Sequence, residues 1–159
     1  MEKTENYLQV LADSLDKKTI IMEELLKITL AQKEIANAEA FDDEAFEKSI
    51  EKKAELVEKL TMLDNGFQTL YNNIKNQIEN HKEQYREEIK SLQSKLKVIM
   101  DYNMRLQVEE ESDRKLIASR FATLKKEAVQ IKKNQAVAAN YYKTMNNIST
   151  EPYFMDHKK

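Results

Sequence analysis

Residues 56–78 read LVEKLTMLDNGFQTLYNNIKNQI, and whether this stretch turns or stays helical decides the fold. Asn65-Gly66 is ordinarily a turn pair. Here the apolar rows pass through it without a slip. Leu56, Leu63 and Leu70 recur every seven residues, and so do Leu60, Phe67 and Ile74. A turn would break that register, whereas a helix keeps it. One glycine inside a helix costs only about 1 kcal/mol against alanine. The spacing predicts a helix through Gly66, with a helical hairpin at Asn65-Gly66 as the alternative.

A further row continues through Ile50, Val57, Asp64, Tyr71, Ile78, Tyr85, Leu92 and Ile99. The predicted second helix therefore runs from Asp43 to about Gln107, roughly 95 Å at the usual rise per residue. Its start is well marked. Asp42 can accept from the free amides of the first turn, Phe41 and Phe46 stand at the two positions of a hydrophobic staple, and Asp43, Glu44 and Glu47 favour the positive end of the helix dipole. Before it, Leu8, Leu15, Met22, Thr29 and Ala36, with Leu11, Lys18, Leu25 and Gln32, form the seam of a first helix from about Thr4 to Asn37. After it, the stretch from Asp101 to Arg114 interrupts the stripe with Glu109-Glu110-Glu111-Ser112-Asp113, read as a charged bend or short loop. A third helix then spans about Asp113 to Ile148, with Ser112 or Asp113 as its cap.

Gly66 and Pro152 are the one glycine and one proline in 159 residues. Few turns are therefore possible. The expected fold is all-α: an elongated antiparallel three-helix, coiled-coil-like bundle with one very long central helix. It forms a single domain over residues 1–148, followed by a flexible tail at 149–159.

Composition removes several function classes. There is no cysteine, so thiol catalysis, disulfides and cysteine metal sites are excluded. One glycine cannot build a phosphate loop. His81 and His157 are the only imidazoles, and neither has ligand spacing around it. No apolar run approaches the length of a membrane span, and the N-terminus has no secretion-signal pattern. The expectation is a cytoplasmic non-enzyme without cofactor. Residues 1–111 hold 16 Lys/Arg against 24 Asp/Glu, and residues 112–159 hold 10 against 4. The basic third lacks interleaved exposed aromatics, which argues against nucleic acid, and it can pack beside the acidic part of its own chain.

The last helix combines small residues (Ala118, Ala122, Ala128, Ala136, Ala138, Ala139) with large adaptable ones (Phe121, Tyr141, Tyr142, Met145). Such a face suits helix-in-groove recognition. It would equally serve to pack on the first two helices.

The chain resembles the FlgN-type flagellar export chaperones. The matching segments are Leu25 to Lys33, then Phe46, Ile50, Lys53, Leu56 and Leu60 after an acidic loop, and Ile131-Lys132-Lys133-Asn134-Gln135-Ala136-Val137. The likeness covers about residues 8–140. It departs from the family in the alanine-rich run after Asn134-Gln135. The resemblance implies a cytoplasmic chaperone, monomeric or homodimeric. It would hold the amphipathic terminal helices of hook-associated proteins and deliver them to the flagellar type III export apparatus. By position it implies partner contacts from Ile117, Phe121, Leu124, Ile131, Asn134, Ala138, Tyr142 and Met145. The competing expectation is a structural coiled-coil protein that self-associates through its heptads.

Overall fold

The computed structural model describes residues 2–122, 132–133 and 135–143. Helix α1 spans Glu2–Asn37, α2 spans Asp43–Asn80 and α3 spans Arg86–Arg120. Residues 132–133 and 135–143 are also helical, and no strand occurs among the described residues. The molecule is an all-helical bundle.

The connection before α2 forms as its residues dictate. Asp42 caps the helix by accepting from the Ala45 amide at 3.0 Å, and the rings of Phe41 and Phe46 lie 5.5 Å apart. Gly66 sits inside α2, helical like its neighbours. No tertiary contact requires it, since a Cβ there would meet nothing within 4 Å.

The very long central helix is not present. Helix α2 ends at Asn80, and residues 81–85 form a turn. Lys53 and Glu110, 57 positions apart, are in contact, so the chain doubles back there. The physical reason lies in composition. Asn72, Asn73, Asn76 and Asn80 are poor helix formers and weaken the end of α2. His81 leaves helical geometry at φ −132°, ψ 46°, and its amide donates to the carbonyls of Gln77 and Ile78. Tyr85, fully buried, anchors the far side of the turn.

The expected interruption between 101 and 114 is not present either, because α3 runs straight through it. The three glutamates are tied down individually. Glu109 pairs with Lys33 at 2.5 Å, Glu110 with Lys53, and Glu111 with Arg114 at 2.5 Å. Asp113 is not a cap but a buried residue in mid-helix.

Two apolar clusters form the interior. The larger joins Leu8 through Leu26 of α1, Leu56 through Ile78 of α2, Leu92 through Leu106 of α3, and Tyr142. The smaller joins Ala36, Phe46, Ile117 and Phe121, where Phe41 stacks edge-on against Phe121 at 4.5 Å. Each buried large apolar side chain adds about 1.5–3 kcal/mol. Between the two clusters lies a layer of buried polar residues: Thr29 and Gln32 on α1, Lys53 on α2, and Glu110 and Asp113 on α3.

Candidate functional site

The polar layer is a connected network. Lys53 donates to Gln32 Oε1 at 2.9 Å and to Glu110 Oε1. Thr29 Oγ1 lies 3.1 Å from the same Glu110 oxygen and 2.8 Å from the Leu25 carbonyl, with one proton to share between them. Gln32 Nε2 donates to Ser49 Oγ at 2.9 Å, and Ser49 donates to the Phe46 carbonyl at 2.5 Å. A buried ion pair of this kind is held by the hydrogen bonds around it, because burial alone would expel both charges.

Part of the layer is unsatisfied. Among the described residues, Glu110 Oε2, both oxygens of Asp113, both amide atoms of Gln135, both of Asn103, Gln107 Nε2 and Tyr142 Oη find no hydrogen-bond partner. Burial pushes the Asp113 carboxyl up from 3.8 to about 7. Lys53 and Lys33 oppose that rise, and Glu110 and Glu109 add to it. A carboxyl that shares an interior with Glu110 is thus readily protonated near neutrality.

The layer opens into a cleft of about 340 Å³. Ile50, Ala54, Val57, Val137 and Ala138 give it apolar walls, and Gln32, Glu51, Lys53, Glu110 and Gln135 provide its polar groups. Helix α2 and the helical segment 135–143 form its two sides. That segment is fastened further along, where Tyr141 donates to Asp64 at 2.7 Å and Lys18 of α1 pairs with the same side chain.

The residues implied as partner contacts fall differently. Ile117 and Phe121 are 1% and 3% exposed and belong to the smaller apolar cluster. Ile117 is in α3, not in the segment that carries Tyr142. Tyr142 is 0% exposed, within the larger cluster. Ala138 is partly buried and lines the cleft. Leu124, Ile131, Asn134 and Met145 lie outside the described residues, as does the expected tail at 149–159. Among the described residues of the last apolar stripe, Ile117, Phe121 and Tyr142 are taken up by the chain's own core. Lys53, Glu110, Asp113 and Gln135 were not singled out as a site by spacing. The available signal was the alignment of polar residues on apolar rows, with Thr29 and Gln32 on α1 facing the charged interruption at 109–113.

Among the described residues no group of His, Asp or Glu could hold a metal ion, and no helix is long and apolar enough to cross a membrane. His81 is exposed. No family model, curated protein or solved structure matches the chain.

Proposed function

We propose that this chain holds an amphipathic helix of another protein in the cleft between α2 and residues 135–138. The observation that carries this reading is the cleft itself, with Ile50, Ala54, Val57, Val137 and Ala138 as walls. Apolar, half-open and on helical supports, it has the form of a helix-in-groove site. The scaffold in this reading is an elongated antiparallel bundle. In its support, contacts climb α1 as they descend α2: Lys18 meets Asp64, and Gln32 meets Lys53 and Ser49. The role is non-catalytic and cytoplasmic. The partner is the terminal helix of a hook-associated protein on its way to the flagellar export apparatus, as the FlgN-type resemblance implies. Calorimetric titration with the isolated terminal segment of such a protein tests it. A saturable complex that is lost in Val57→Asp/Ala138→Asp is expected. Binding that survives both changes contradicts the assigned site.

A second reading, self-association as a structural coiled coil, draws on Met104 and Val108. They lie one turn apart on α3 and are 57% and 67% exposed. Sedimentation over a range of concentrations tests it: a dimer that Met104→Lys/Val108→Lys dissociates supports it, and a monomer throughout dismisses it.

A further inference from the structure

Three polar atoms of the cleft lining find no partner among the described residues, and their pattern is specific. Lys53, Thr29, Gln32 and Ser49 satisfy one another and Glu110 Oε1. Glu110 Oε2, Gln135 Oε1 and Gln135 Nε2 remain. Glu110 is 1% exposed and Gln135 is 4% exposed, and both line the cleft. Each such atom is costly when it is kept from water without a partner. Together these atoms are complemented by two donors and one acceptor.

A carboxylate offers acceptors only and would bring negative charge beside Glu110. An ammonium offers no acceptor for Gln135 Nε2 and would bring positive charge beside Lys53. A hydroxyl has one proton for two acceptors. A primary carboxamide has two N–H donors and one carbonyl, is uncharged, and suits a floor where Lys53 and Glu110 already pair, the exposed Glu51 carboxylate also lying in the lining. The apolar walls require that this group arrive on an apolar carrier.

We propose that the cleft selects a partner helix bearing an Asn or Gln side chain within its apolar face, with the amide seated between Glu110 Oε2 and Gln135. This deepens the helix-holding reading above and rests on it. The amide supplies specificity, since a site built to hydrogen-bond one group rejects the analogue that lacks it. Val57, Ala54 and Ala138 supply the contact for the apolar neighbours of that side chain.

The test uses two synthetic amphipathic helices of about 20 residues, long enough to be helical. They are identical except for Gln or Leu at the centre of the apolar face. Their affinities are read by fluorescence anisotropy against the full chain and against Gln135→Leu. That variant replaces an unsatisfied buried amide with an apolar group and is expected to fold at least as well. The wild type is expected to bind the Gln peptide about tenfold more tightly than the Leu peptide, and Gln135→Leu is expected to reverse the order. Equal affinities in the wild type, or a preference that survives Gln135→Leu, overturn the amide assignment and leave helix-holding standing. Absence of binding by both peptides overturns both. A third arm uses isobutyramide, followed through the Gln135 side-chain amide resonance. A shift with isobutyramide but none with the Gln peptide would assign the site to a free small amide and overturn the proposal.

Discussion

Tyr141 donates its phenolic proton to Asp64 across 2.7 Å, while Lys18 pairs with the same side chain. One carboxylate thus ties the helical segment 135–143 to α2 and α1. Burial pulls the Lys18 ammonium below its ordinary value, with Asp64 partly offsetting the effect. It also drives the Tyr141 phenol well above its ordinary 10.0, and Asp64 adds to that rise. Tyr141→Phe is expected to lower stability by about 1–2 kcal/mol, read as a shift in the urea midpoint. Because the folded phenol holds its proton more tightly than the unfolded one, the wild type loses stability as pH climbs past 10, and Tyr141→Phe loses less.

Asp113 sets a pH dependence of its own. Its folded carboxyl titrates at about 7 against an ordinary 3.8, so the folded state binds the extra proton between those values. The associated stability is complete below the lower value and is lost as pH rises toward the upper one. Asp113→Asn removes this slope. The variant is expected to be about 1–3 kcal/mol more stable than wild type at pH 8 and nearly equal to it at pH 4. Urea titrations at the two pH values decide the matter.

Lys53 and Glu110 form the buried pair at the centre of the polar layer. Lys53→Met leaves an uncompensated interior carboxylate and is expected to destabilise by about 3–5 kcal/mol. Adding Glu110→Leu should recover most of that loss, because two apolar groups replace two mutually dependent charges. A double-mutant cycle by chemical denaturation measures the coupling.

Gly66→Ala should stabilise the chain by about 0.5–1 kcal/mol, because a helical glycine with open space around it gives only backbone entropy to the unfolded state. Thermal melts of the two proteins check it. A loss of stability would mean that α2 is not helical through this position.

Much of the fold was legible because the apolar rows have one period. Leu8, Leu15 and Met22, or Leu60 and Ile74, are all core residues, and Asp42 with Phe41 and Phe46 marked the start of α2 unambiguously. Lys18 and Asp64 are polar members of apolar rows, and the fold resolves both by pairing them. The turn at 81–85 was not legible: it contains neither glycine nor proline, and Tyr85 keeps the heptad row intact across it. The acidic run at 109–111 reads as a bend because the partners of Glu109 and Glu110, Lys33 and Lys53, lie far away in sequence. The candidate site was hidden for the same reason. Glu110, Lys53 and Gln135 come together only when three separate helices pack.

Amide hydrogen exchange of the free chain and of its complex with a hook-associated protein's terminal segment tests the central claim most directly. Helix-holding predicts added protection concentrated in residues 50–57 and 135–138. Unchanged exchange there, or protection confined to α3 around Met104 and Val108, would contradict it.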